Sequence, residues 1–309
     1  MIKMEPALKI RNLTVTFPTE EGTFKAIDDL DLEVFSGERI AIMGESGCGK
    51  SVLGHSIMRL LDQISTTAGH ISYLSTEISE LSPAAMTSIR GKQFALIPQS
   101  PSTSFNPVIK IGPQIDEMYI GKDMTKKAAR DNAVSALSDV GFEKPLDIYN
   151  TYSHRLSGGM CERALIAMGS ILDPDLLIAD EPTKGLDPAN KIEILKLIHK
   201  KSKDRILLLI THDYYAAKIC ERTIIMYSGR IIEDGRTEDV LSNPKHPYTK
   251  SLWKSLPDKG LNAIPGTLQK NISGGCDFSN RCENYTRQCD ERQLMKECGA
   301  NHFARCHNA

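Results

Sequence analysis

The chain has 309 residues, 40% of them hydrophobic and 25% charged, proportions that suit one sizeable folded domain or two modest ones rather than a disordered polymer. Lys and Arg number 38 against 39 Asp and Glu, a formal net charge of −1, so no overall basic field exists to hold nucleic acid or an anionic membrane. The longest aliphatic run, Ile206 to Ile210, is far short of the roughly 20 residues of a membrane-spanning helix, and Met1 to Ile10 has no apolar block of signal-peptide length. The reading is a cytoplasmic protein that reaches a membrane only through partners.

In chain order, Leu13, Val15 and Phe17, then Leu30, Leu32 and Val34, alternate with polar residues, which predicts an opening antiparallel β layer. Arg39 to Met43, Leu176 to Ala179 and Ile206 to Ile210 are short continuous apolar runs, the pattern of strands buried on both faces. Helical spacing connects them: Val52, His55, Met58 and Leu61 after the first run, Ile192, Leu195 and Ile198 before the last. This alternation predicts an α/β fold with a parallel sheet wrapped by helices. Residues 100–155 interrupt the rhythm with Pro101, Pro107 and a helix bearing Ala129, Ala133, Ala136, Leu137 and Val140, read as an inserted helical subdomain. Ile224 to Ile232 predicts a hairpin turning at Ser228-Gly229, and Thr249 to Leu256 a short helix. The composition then changes, so a boundary is placed at 256/257, with residues 257–309 as a Cys-rich extension.

Gly44-Glu-Ser46-Gly47-Cys48-Gly49-Lys50-Ser51, between a predicted buried strand and a helix, fits the phosphate-binding P-loop. Its glycines let successive N–H groups turn toward the phosphates of ATP, Lys50 bridges β and γ oxygens, and Ser51 ligates Mg²⁺. Asp180, ending an apolar run, suits Mg²⁺, and Glu181 can orient and deprotonate an attacking water. His212, at the end of another such run, can reach a γ-phosphate.

Leu156-Ser157-Gly158-Gly159-Met160 resembles the signature motif of ABC ATPases, P-loop NTPases with a RecA-like parallel core, an antiparallel β subdomain and a helical insertion. The resemblance implies that Ser157, Gly158 and Gly159 contact ATP held by the P-loop of an opposite subunit. It also implies Phe17 as the adenine-stacking aromatic, with Phe24 a competitor, Gln99 as the Q-loop glutamine and Mg²⁺ ligand, Asp187 as the D-loop aspartate, and His212 as the switch histidine. Gln99 to Pro107, Ile111-Gly112, Gln114, His246-Pro247-Tyr248-Thr249, Ile264-Pro265-Gly266 and Gly275-Cys276-Asp-Phe278-Ser-Asn-Arg281-Cys282 resemble the peptide and nickel importer subfamily. That implies a second, related ABC ATPase as partner, two membrane permeases, an extracytoplasmic binding protein and a place on the cytoplasmic face of the membrane. Peptides are the first reading for the substrate, with nickel or a metal chelate the alternative. A soluble ABC ATPase acting on ribosomes or nucleic acid would carry two cassettes or a long coiled coil, and this chain has neither. Two departures stand out: Cys161-Glu162-Arg163 is expected to alter the charge of a helix start facing the partner's nucleotide, and Lys184 precedes Gly185-Leu186-Asp187.

Five cysteines crowd the last 34 residues. Thiolates serve iron-sulfur or zinc equally by softness, the spacings lack the Cys-x₂-Cys knuckles of zinc fingers, and reduced cysteines without metal are the plain alternative. The subfamily resemblance adds Cys276, Cys282, Cys289 and Cys306 as one set, expected to hold a [4Fe–4S] cluster, with Cys298 outside it. The tail has too few large apolar residues for a core of its own. Its role is expected to be structural or regulatory, at a distance from the P-loop.

Overall fold

A computed structural model describes residues 5–20, 22–121, 123–256, 260–267 and 274–309. Residue 257, where the sequence places a boundary, lies outside them. The chain divides into two compact units, residues 82–208 and the two flanking stretches 1–81 and 209–309 together.

The flanking unit begins with β1 (Leu8–Thr19) and β2 (Gly22–Val34), antiparallel as the alternation predicts, with Ile10 opposite Leu32 and Val15 opposite Ile27. Then come β3 (Arg39–Met43), α1 (Lys50–Met58), β4 (Thr66–Tyr73) and β5 (Thr76–Glu77), giving a sheet of order β2-β1-β4-β5. Helix α1 stops earlier than the periodicity suggests. Arg59 turns left-handed (φ 48°) and its N–H closes onto the carbonyls of His55 and Ser56, which leaves Leu61 outside.

The middle unit runs through α2 (Pro83–Ile89), β6 (Phe94–Ile97), α3 (Pro101–Ser104), α4 (Ile111–Asp116), α5 (Lys126–Asp139), α6 (Pro145–Tyr149), α7 (Gly158–Ser170), β7 (Leu176–Asp180) and α8 (Pro188–Lys201). Strands β6 and β7 are parallel, with Phe94 opposite Leu176. Helix α5 buries Ala129, Ala133, Ala136 and Leu137, the face read from the sequence. Helix α8 follows its reading in part: Ile198 is buried and Leu195 half-buried, but Ile192 is 55% exposed and Ile194 is buried in its place. The motif residue Gln114 acts locally. Its Oε1 accepts the Asn106 N–H (2.8 Å) and its Nε2 donates to the Ile109 carbonyl (2.9 Å), tying the 106–110 loop to α4.

Strand β8 (Ile206–Ile210) leads back into the flanking unit, which continues with α9 (Tyr214–Ala217), β9 (Arg222–Tyr227), β10 (Arg230–Arg236), α10 (Thr237–Ser242), α11 (Pro247–Lys254), β11 (Lys296–Gly299) and β12 (His302–Ala304). Strand β9 runs parallel to β3, and the β9–β10 hairpin turns through Ser228 (φ 49°) and Gly229 (φ 81°), the primed turn its sequence calls for. Strand β12 pairs with β10 and β11 with β12, so the tail extends this sheet in the order β11-β12-β10-β9-β3. Buried Glu233 of β10 is the anchor. It accepts the backbone N–H groups of Lys245 (2.7 Å) and His246 (2.9 Å) and pairs with His302 Nε2 (2.8 Å). The tail borrows a core here, with Phe278 set edge-on against Tyr227 (5.5 Å) and Tyr248 (5.4 Å).

Candidate nucleotide site and cysteine centre

Strand β3 delivers the chain into a tight loop. Gly44 (φ 148°) lies where a Cβ would stand 2.2 Å from the Met226 carbonyl oxygen, and Gly49 (φ 107°) where it would stand 2.4 Å from that of Ala26, so both positions require glycine. Helix α1 starts after Gly49 with no side-chain cap, which leaves its first N–H groups for an anion. Ser46 and Gly47 are exposed, Ser51 is half-buried, and Cys48 is buried with its thiol pushed up by desolvation. Buried Lys50 donates from Nζ to the carbonyls of Gly44 (2.7 Å) and Glu45 (3.0 Å), which holds its charge inside the loop.

In the same unit, the Thr211 N–H donates to the Ile42 carbonyl (3.0 Å), which brings exposed His212 beside the end of β3. The pairing of β1 and β2 puts Phe17 directly across from Phe24, both half-buried, so register does not separate the two candidates.

The middle unit holds the other candidates. Buried Asp180 ends β7, and buried Glu181 follows with a left-handed backbone (φ 50°), a conformation that a non-glycine residue adopts at some cost. Gln99 is half-buried after β6. Ser157 caps α7, its Oγ accepting the Met160 N–H (3.3 Å), with Gly158 exposed and Gly159 buried. A Cβ on Gly159 would stand 2.9 Å from Asn190 Oδ1, and Asn190 also bonds Asp187, the cap of α8. Asp187 accepts the N–H groups of Ala189 and Asn190, and the hydrogen bond from the Asn190 side chain leads in holding its carboxyl below the usual range. Asn190 therefore links the signature and D-loop segments, a role that no local pattern announced.

At the departure Cys161-Glu162 the structure adds burial to the sequence reading. Both side chains are buried, whereas Arg163 is half-buried with its guanidinium over the Phe142 ring (4.9 Å). Burial pushes Glu162 up to about 8, and its Oε1 has no hydrogen-bond partner among the described residues. Because the folded value lies above the ordinary 4.5, the native state keeps a proton that the unfolded chain releases. Stability thus falls as pH rises from about 4.5 to about 8, by up to about 1.4 kcal/mol per pH unit from this group. Glu162→Gln should flatten that decline in thermal midpoints measured from pH 5 to 8.5, and parallel profiles for variant and parent would refute the assignment.

Cys276, Cys282, Cys289 and Cys306 line one cavity together with His246 and His307, and Cys298 lies apart, its Sγ donating to the His302 carbonyl (3.3 Å). Desolvation pushes Cys276 up to about 11 and raises Cys282 and Cys306. Backbone hydrogen bonds oppose that rise, from Phe278 to Cys276, Asn284 to Cys282 and Asn308 to Cys306, and the Thr286 N–H reaches Cys289 Sγ (3.5 Å). Buried His246 accepts the Tyr248 N–H at Nδ1 (3.0 Å), so its proton sits on Nε2, which has no partner among the described residues, and burial drives its pKa down to about 3. Among the described residues no three Cys, His, Asp or Glu stand where a single metal ion could be held. The tail is not remote from the P-loop, as the sequence reading had it. Arg281, beside Cys282, grips Glu45 with two 3.0 Å hydrogen bonds, because the tail folds over the hairpin that flanks the loop.

Comparison with known proteins agrees with this geometry. The sequence matches the ABC transporter family over residues 27–184 and the oligopeptide/dipeptide transporter C-terminal region over residues 232–289. The dipeptide transport ATP-binding protein DppD of Bacillus subtilis (strain 168) is 41% identical over 300 residues, 93% of this chain and 90% of its own. The oligopeptide transport ATP-binding protein AppD of the same strain is 38% identical over 303 residues, 93% of this chain and 91% of its own. Among solved structures, the dimeric ATP-binding cassette MJ0796 in a post-hydrolysis state bound to ADP and Pi superposes with a TM-score of 0.68 at 25% identity, covering 74% of this chain and 98% of that one. Fold and P-loop together define an ATP-binding cassette ATPase. The chain belongs to the ABC transporter family of ATP-binding subunits.

Proposed function

We propose that this chain hydrolyses ATP to power a peptide importer. What supports the reading is its tail: the stretch that matches the oligopeptide/dipeptide transporter C-terminal region lies in the same compact unit as the P-loop. The relatives named above carry dipeptide and oligopeptide transport names, which favours peptides over nickel.

In this reading Lys50 bridges the β- and γ-phosphates, the amides of residues 46–51 cradle them, and Ser51, Gln99 and Asp180 hold Mg²⁺. The uncapped start of α1 and the glycine cradle suit that cargo. Glu181 orients and deprotonates water, His212 contacts the γ-phosphate, and Phe17 stacks on adenine. Ser157, Gly158 and Gly159, with Asp187 beside them, serve ATP held by a second ABC subunit. Residues 1–256 form the nucleotide-binding domain, in which the helical stretch 100–155 passes movement to two permeases fed by an extracytoplasmic binding protein, with the chain on the cytoplasmic face of the membrane.

Cys276, Cys282, Cys289 and Cys306 hold a [4Fe–4S] cluster in this reading. Four thiolates on one zinc ion would sit about 3.8 Å apart, as Zn–S distances of about 2.3 Å in a tetrahedron require. Four cysteines lining a shared cavity, each hydrogen-bonded by backbone, support the reading of a thiolate-held cluster. Bound there, the cluster would supply a staple for a tail without a core. Iron, sulfide and zinc analysis after anaerobic purification checks it: iron and sulfide in matching amounts with broad absorption near 400 nm (about the usual band) support the cluster, and a folded, colourless, metal-free protein sinks it. For transport itself, the assembled complex should hydrolyse ATP faster with a dipeptide-charged binding protein. Stimulation by nickel and not by any peptide would overturn the substrate.

A further inference from the structure

The residues that mark the importer subfamily in the sequence converge on one P-loop side chain. Glu45, second residue of the loop, has its N–H held by Tyr248 Oη (2.8 Å). Its carboxylate takes two hydrogen bonds from Arg281, Nη1 to Oε2 and Nη2 to Oε1, both 3.0 Å. Arg281 is itself fixed: Nη1 also donates to Tyr227 Oη (3.1 Å), Nε donates to the Pro265 carbonyl (2.8 Å), and the side chain is 6% exposed. Phe278 packs against both tyrosines, so tail, hairpin and α11 form one frame around the pair.

We propose that Arg281 is a positioning residue for nucleotide binding: it neutralises and immobilises Glu45, so that the P-loop offers ATP its amides rather than a free carboxylate. The physical need is plain. A carboxylate in a loop that must take a triphosphate repels the ligand, and a bidentate guanidinium both cancels that charge and fixes its direction. Lys50 depends on the same stretch of backbone, since its Nζ rests on the Glu45 and Gly44 carbonyls. Removing one member of a largely buried pair leaves the other uncompensated.

The proposal rests on the P-loop as the ATP site, and the parent chain tests that part separately: if purified full-length parent binds no ATP, it is the site that fails, not the clamp. Arg281→Met keeps the apolar stem and deletes the charge. It should weaken ATP binding to the purified chain about tenfold, and in the assembled transporter raise KM for ATP by a similar factor with kcat unchanged. Glu45→Gln added to Arg281→Met should recover the affinity to within about threefold, because the uncovered carboxylate is then gone. A role for Arg281 confined to holding Tyr227 and Pro265 would gain nothing from that second change. Folded Arg281→Met protein with parental affinity overturns the proposal, and so does a double variant no better than the single one. If Arg281→Met does not fold, Arg281→Lys is read instead: charge without the fork should weaken binding about threefold, and parental affinity there overturns the proposal.

Discussion

Glu181→Gln should lower ATP turnover of the assembled transporter by about 10² to 10⁴-fold while ATP binding stays within a fewfold of the parent. Glutamine keeps the size and one acceptor oxygen but cannot take a proton, so the loss falls on the transition state. The position suits the role. Glu181 is buried at the end of β7 and held in a left-handed backbone (φ 50°), which a chain retains where the direction of a side chain matters. Steady-state hydrolysis beside equilibrium ATP binding reads both quantities. Turnover at the parental rate would remove Glu181 from the mechanism.

Gly49→Ala, like Gly44→Ala, should be among the most damaging small changes in the P-loop. Its methyl would have to stand 2.4 Å from the Ala26 carbonyl oxygen with φ at 107°, and both objections involve backbone that cannot swing aside. A loss of about 3 kcal/mol or more in unfolding free energy is expected, with ATP binding reduced beyond tenfold. Gly47→Ala is the contrast. A Cβ there meets nothing within 4 Å, so only the left-handed backbone (φ 81°) is penalised, by about 1 to 2 kcal/mol. Denaturant titration of the two variants side by side decides it. Equal losses would mean that contact with Ala26 is irrelevant.

Much of this was legible in the sequence where local pattern and burial coincide. Arg39 to Met43, Leu176 to Asp180 and Ile206 to Ile210 form strands because unbroken aliphatic runs are stable only when covered on both faces. The Ser228-Gly229 turn follows from the need for two successive positive φ angles. Strands β11 and β12 were illegible for the opposite reason. They are four and three residues long, and Lys296, Glu297 and Gly299 of β11 are exposed, so no alternation betrays them. The apolar stripe of α8 was misread at one position, because Ile192 fits the helical period yet faces solvent. Glu162 reads as a charge at a helix start, and only its packing shows that it is buried. Glu45 and Arg281 lie 236 positions apart, and pairing at that range is set by how the tail lies on the hairpin.

The order of synthesis gives the β10–β12 pairing a consequence for the nascent chain. The unit that contains the P-loop is closed by residues 302–304, whereas the loop itself is complete at residue 51. At roughly 5–20 residues per second, a ribosome spends on the order of 10 to 50 s between those points. Glu45 is without Arg281 until residue 281 is made, and β10, complete at residue 236, presents an open edge of unpaired backbone groups for roughly the last 3 to 13 s of it. The growing chain therefore passes through a period of exposure to edge-to-edge association, and chaperones that cover strand edges have their greatest effect on its yield during that window.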